Sequence, residues 1–180
     1  LAGTSGVGSM LRLSKKRLDE FLMKIDELKN SKDIIIFDIA SGADTRVMSF
    51  LRTVNKIVMV TTPDPSSIID CYSTIKVLHR YRKDASVSVL INQVNGEIQA
   101  GKAYEAVRSA CEKFIHKDVE YLGFVHEDSL ASRLVKARNP FTMAHPQTSA
   151  SQDMNLIAST LMTRFMASDE IYGEEEYLDI

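Results

Sequence analysis

Four apolar runs in this 180-residue sequence end in polar groups that could do chemistry. Ile34-Ile-Ile-Phe37 leads to Asp38, Ile57 to Val60 leads to Thr61-Thr62-Pro63-Asp64, Val87 to Ile91 leads to Asn92-Gln93, and Val119 to Val125 leads to His126-Glu127-Asp128. A carboxylate fixed behind a buried run needs a counter-ion or several donors to offset lost hydration. Asp38 could therefore hold a magnesium ion, through water and in company with phosphate oxygens. Ala40, Ser41 and Gly42 behind it are small enough for backbone amides to approach a phosphate. Asp38 is equally suited to capping the turn or helix that follows. Asn92 offers a carboxamide whose donor and acceptor match the edge of adenine, although Asn also settles readily into turns. Thr61 and Thr62 could bond phosphate or simply fix the turn, with Pro65 at the first helical position behind Asp64.

These groups would share one rim only if the runs before them lie parallel, and the alternation along the chain argues that they do. An amphipathic helix is expected over Ser14–Asn30, where Leu18, Phe21, Leu22, Ile25 and Leu28 recur at helical spacing. A strand over Asp33–Asp38 follows, its four consecutive apolar residues suiting burial on both faces. The pattern continues with a helix near 45–53, a strand at 56–60, a helix at 65–82 and a strand at 87–91. A helix over 101–117, a strand over 119–125, a short helix over 129–138, a strand at Phe141–Ala144 and a helix over 151–167 complete it. Strand and helix in turn predict an α/β fold, a mainly parallel sheet with helices on both faces. In such a sheet ligands bind beyond the carboxyl ends of the strands. The stripe Met154, Ile157, Leu161, Met162 and Phe165 reads as core.

Composition narrows the classes further. With 44% hydrophobic and 26% charged residues the chain is of globular type, and no run approaches the ~20 apolar residues that span a bilayer. Cys71 and Cys111 lack zinc or disulfide spacing and read as buried thiols in a reducing, cytoplasmic setting. The last twelve residues hold Asp169, Glu170, Glu174, Glu175, Glu176 and Asp179 and no basic group. Residues 1–168 are expected to form one domain, and 169–180 a solvated acidic tail. The small positive surplus left over 1–168 gives no basic stripe for nucleic acid, and the tail would be repelled by phosphate and anionic lipid. Gly3 and Gly8 have the separation of the phosphate-binding loop GxxxxGK[ST], but Ser9 and Met10 follow, and the Lys that reaches the phosphates is missing. His79, His116, His126 and His145 show no metal-binding spacing, and no catalytic triad order emerges. The sequence opens on Leu1, which fits a trimmed start or the later part of a longer protein.

Two linked segments carry a resemblance. Asp33-Ile-Ile-Ile-Phe-Asp38-Ile-Ala-Ser-Gly42 looks like the DxxAG strand end of the MinD/ParA-type P-loop ATPases. Val60-Thr-Thr-Pro-Asp-Pro-Ser-Ser-Ile-Ile-Asp70-Cys-Tyr72 is similar to the TTPEPTSITDAY segment of that family's flagellar number regulators. Val89-Leu-Ile-Asn92, Leu122-Gly-Phe-Val-His-Glu-Asp128 and Arg138-Asn-Pro-Phe141, with Pro146 and Ser149, fall in the family's order over residues 1–167.

The resemblance implies an ATP-dependent switch that dimerises with nucleotide bound and acts with flagellar assembly proteins in placing or counting flagella. By motif position Asp38 would be the magnesium-associated carboxylate, Gly42 would lie in the phosphate-sensing switch, and Asn92 would read adenine. Glu127 and Asp128 would belong to the loop closing over the base, with His126 standing where relatives usually carry Pro. The family's KGGxGK[ST] loop is not among these residues, so the chain alone is expected not to hydrolyse ATP. A membrane-binding helix at the carboxyl end, usual in the family, would need a basic face where this chain is acidic, although peripheral attachment to the inner membrane face stays open. The alternatives are a pseudo-ATPase kept for protein contacts and a receiver-like domain with Asp38 as phosphoacceptor. The receiver needs a Lys where Asn92-Gln93 stands.

Overall fold

The computed structural model describes residues 23, 24, 28, 31–39, 47, 51, 54–136, 138 and 140–169. Contacts divide the chain into two compact units, Leu1–Leu51 and Arg52–Ile180. Gly42, the glycine-rich opening Leu1–Met10 and the acidic segment after Asp169 lie outside the described residues.

In the first unit Met23, Lys24 and Leu28 are helical, as expected within Ser14–Asn30. The chain turns after Leu28, whose carbonyl accepts the Ser31 N–H at 3.0 Å and the Ser31 hydroxyl at 3.2 Å. Val47 and Leu51 are helical and buried, inside the helix expected near 45–53. The strand expected over Asp33–Asp38 does not form. Residues 34–39 have no regular secondary structure, Ile36 is 86% exposed and Asp38 is exposed. Four apolar residues do not make a strand by themselves, because extended backbone is held by ladder bonds to neighbours, and without them its amides turn to water.

The second unit alternates as the sequence predicts: β1 (Lys56–Thr61), α1 (Pro65–Tyr81), β2 (Ser86–Val94), α2 (Glu97–Ile115), β3 (Glu120–His126), α3 (Ser129–Lys136), α4 (Phe141–Ala144) and α5 (Ser149–Asp169). The strands form one parallel sheet in the order β1-β2-β3. Central β2 has partners on both edges and buries five residues in succession, Val87 to Ile91, the continuous apolar run that a strand covered on both faces requires. By alternation Val87, Val89 and Ile91 face one way and Ser88 and Leu90 the other. Leu90 packs with Leu122, Val125, Ala131, Ala150 and Ile157, so α3 and α5 close that side. α1 and α2 pack on each other and on the opposite side of β1 and β2 through Ile75, Leu78 and Val107.

Local chemistry sets the element ends. Pro65 starts α1 behind an extended Asp64. α2 stops at left-handed His116, φ 51°, whose N–H reaches the carbonyls of Cys111 and Glu112. In β3 the register steps from Tyr121 to Gly123 against consecutive Val89 and Leu90, a bulge that Gly123 accommodates at φ 141°.

Three expectations need correction here. Phe141–Ala144 is a single helical turn, not a strand, because Pro140 leads into local bonds: its carbonyl accepts the Met143 and Ala144 N–H groups at 3.2 and 3.1 Å. β2 runs on to Val94, so Asn92 lies within the strand instead of after it. The core stripe of α5 is narrower than its apolar residues suggest, since Ile157 is buried and Leu161 partly so, whereas Met154 and Met162 are 38% and 46% exposed. The Phe165 side chain lies outside the described residues.

Both cysteines are buried free thiols. Burial pushes the Cys71 thiol up to about 12, with Cys111 adding to the effect, and pushes Cys111 up to about 11. Both therefore stay protonated through pH 8. Ellman titration of the native chain at pH 8 should release no rapid thionitrobenzoate from Cys71 or Cys111, and denaturant should release both; a fast native-state reaction would contradict this packing.

Candidate functional site

Because all three strands of the second unit run the same way, their carboxyl ends meet along one rim. β1 ends at buried Thr61, and the next hydroxyl, Thr62 Oγ1, donates to Asp64 Oδ2 at 2.9 Å. That bond fixes the turn into α1, so Thr62 takes the structural one of its two expected roles. β2 continues through Asn92, Gln93 and Val94 into Asn95-Gly96, where the Asn95 N–H donates to Gln99 Oε1 at 2.8 Å. β3 delivers His126, Glu127 and Asp128. The Glu127 N–H donates to the Val94 carbonyl at 2.9 Å and ties the ends of β2 and β3 together.

Between these ends lies a cleft of about 320 Å³ lined by Thr62, Pro63, Asp64, Gln93, Asn95, Gln99 and Glu127. Its volume sits at the low end of the ~300–1,000 Å³ range of small-molecule sites. The lining holds carboxamides, a hydroxyl and two carboxylates, with no cationic side chain among them. Such a wall attracts hydrogen-bond donors and repels phosphate.

The expected site residues fare differently. Glu127 is exposed and lines the cleft. Asn92 is half-buried inside β2, paired in register with Val125, and its carboxamide makes no hydrogen bond to a described residue. Asp128 caps α3: its Oδ1 accepts the Leu130 and Ala131 N–H groups at 2.8 and 3.0 Å. The Ala131 amide first, and the Leu130 amide behind it, hold this carboxyl below its usual range against the opposing effect of desolvation. Asp38 belongs to the first unit, where its carboxylate makes no hydrogen bond or ion pair with a described residue.

One residue that sequence reasoning missed is Asp153 of α5. Its Oδ2 accepts both the His126 backbone N–H at 2.8 Å and the His126 Nδ1 at 2.7 Å. The Asp153 side chain is 17% exposed, and the imidazole lies edge-on to Phe124 with ring centroids 5.0 Å apart. Asp153 thus anchors the residue that precedes Glu127. No motif flags a carboxylate 27 positions away on a helix.

Two consequences can be measured by amide exchange. Asp153→Ala removes a charged acceptor worth about 1.5–3 kcal/mol, so the His126 and Glu127 amides should exchange at least about tenfold faster while those of β2 keep their protection. Equal rates in both proteins would deny Asp153 this role. The Asp128 cap behaves as a group whose folded pKa lies below its unfolded value of ~3.9. Its contribution is present above that value and lost as pH falls through the lower folded one. The Leu130 and Ala131 amides should accordingly stay protected from pH 5 to 8 and lose protection only in stronger acid.

No family model matches the chain. Among curated proteins it is similar to the antiactivator FleN of Pseudomonas aeruginosa, 24% identical over 154 residues, covering 86% of this chain and 55% of FleN. It is also similar to the flagellum site-determining protein YlxH of Helicobacter pylori, 29% identical over 168 residues, covering 91% of this chain and 55% of YlxH. The chain therefore spans about half the length of these relatives. Its fold matches the MinC:MinD cell division protein complex of Aquifex aeolicus with a TM-score of 0.63 at 21% identity, covering 91% of this chain and 62% of the solved one. The order of strand ends therefore has counterparts in both sequence and fold: the chain is similar in sequence to FleN and YlxH, and it shares its α/β fold with the MinC:MinD complex.

Proposed function

We propose that this chain is part of an ATP-binding switch of the FlhG kind, a regulator of flagellar number or placement, and that it supplies the base side of the nucleotide site. The charge of the cleft carries this reading. Carboxamides and carboxylates without a cation suit the amino group of an adenine and would repel a triphosphate. The space holds a base better than a whole nucleotide. In this arrangement Glu127 stands over the base on the loop that Asp128 and Asp153 hold in place, and the carboxamide of Asn92, which is half-buried in β2 and does not itself line the cleft, reaches the adenine edge from behind the lining.

The phosphates then belong outside the cleft, against a Lys-bearing glycine loop of a kind these 180 residues do not contain, with Gly42 in the segment that senses the terminal phosphate. Asp38, exposed and without a partner among the described residues, is free to hold magnesium through water. No group of three or more His, Cys, Asp or Glu able to hold a metal occurs among the described residues. The rest of the magnesium shell would come from phosphate oxygens and water, as is usual for this ion. The ion would neutralise charge on the phosphates, and this chain's own contribution is to bind and orient the base. The kinship with FleN and YlxH supports a flagellar role, and the MinD fold, solved with MinC bound, fits a nucleotide-dependent dimer that hands its state to protein partners. Among the described residues no helix is long and apolar enough to cross a membrane.

Calorimetry on the complete protein tests the assignment. Asn92→Ala should weaken ATP binding by about 1–3 kcal/mol, the usual worth of a bidentate amide–base contact. Asp38→Ala should weaken binding only when magnesium is present. Unchanged affinity in both variants would remove the site, and a micromolar Kd for ATP on the 180-residue chain alone would overturn the division between base side and phosphate side.

A further inference from the structure

Gln93 is the residue by which β2 leaves its ladder. The register on β3 runs from Asn92 opposite Val125 to Val94 opposite His126, so Gln93 is bulged out with no partner. Its φ of 59° lies in the left-handed region, which Gly and Asn enter readily and a longer side chain only with strain. The ends of β2 and β3 are closed without it, through the bond from Glu127 N–H to the Val94 carbonyl. The Gln93 carboxamide makes no hydrogen bond to a described residue, and Gln93 is exposed. Gln93 lines the cleft, facing the set that includes Asp64, Gln99 and Glu127. Strain at a bulge beside a cleft is a known means of aiming a side chain at a ligand.

We propose that Gln93 is a specificity-determining residue for the purine, an inference that rests on the base-side reading of the cleft. A carboxamide offers one acceptor and one donor side by side, which matches the N6 amino group and N7 of adenine. Guanine presents O6 and N7 on the same edge, both acceptors, and only one of them finds a donor there. The carboxylates of Asp64 and Glu127 add acceptors, which again favour an amino group over a carbonyl at that position.

The test pairs stability with selectivity on the 180-residue chain, using adenosine and guanosine followed by amide shifts at millimolar concentration, and thermal melts of each variant. Gln93→Gly relaxes the left-handed residue and removes the carboxamide. Its melting temperature should equal or exceed that of the parent, while its adenosine Kd rises about tenfold, one good contact, and its preference over guanosine disappears. Gln93→Asn tolerates the same backbone with a shorter amide and should retain part of the preference. Adenosine binding unchanged in Gln93→Gly overturns the inference and leaves the base-side reading standing, as does a lower melting temperature, which would make Gln93 a structural residue. A parent that shows no shifts at Asn92, Gln93 or Glu127 with adenosine sinks the base-side reading, and this inference with it. A parent preference for guanosine overturns the assignment of the edge.

Discussion

Burial of β2 on both faces is the constraint from which the rest of the second unit follows. A strand with helices above and below and partners on both edges has no solvent to satisfy its backbone, so every amide must be paired and every side chain from Val87 to Ile91 must tolerate the interior. That requirement fixes the register of β1 and β3. It also demands two separate covers, α1 and α2 on one side and α3 and α5 on the other. The cleft is a by-product: β2 and β3 end together at Val94 and His126, beyond the point opposite Ile91 where β1 ends, and where the strands stop the chain turns polar.

The second unit was largely legible because that constraint is written in residue type. The runs at 56–60, 87–91 and 119–125 stand out as apolar, each inside or overlapping a strand that formed, and Pro65 marks the next helix start. What misled was the same signal without its context. Ile34-Ile-Ile-Phe37 is as apolar as the runs that became strands, yet residues 34–39 have no regular structure. An apolar run states what a segment can bury, not whether neighbours exist to pair with it. Phe141–Ala144 failed for the opposite reason: four residues carry too little periodicity to separate strand from helix, and the Pro140 carbonyl decided the matter locally.

The site was legible in its residue types and less so in their roles. Of the groups expected at the rim, Glu127 and Thr62 line the cleft, but Thr62 is committed to Asp64 and Asp128 to α3, since a terminus or a turn offers a nearby donor or acceptor. Side-chain commitments of this kind depend on a turn of a few degrees and leave no trace in spacing. Gln93 stands beside Asn92 in sequence with no role of its own legible there, because a bulge is a mismatch between two strands, visible only when both are in register. Asp153 was hidden for a related reason, since α5 meets β3 only in three dimensions.

The bond between Asp153 and His126 also explains how this chain manages a position where its resemblance leads one to expect Pro. A proline there would fix φ and carry no N–H, so the loop would be stiffened by its own ring. His126 gives up that stiffness, but it supplies a backbone donor and a ring donor, and one carboxylate oxygen of Asp153 accepts both. Rigidity that a ring would supply locally is supplied instead by a helix packed across the end of the strand. The two bonds therefore tie α5 to the residue that precedes cleft-lining Glu127. With Pro at 126 the backbone half of that grip could not form, and the loop would be insulated from the helix.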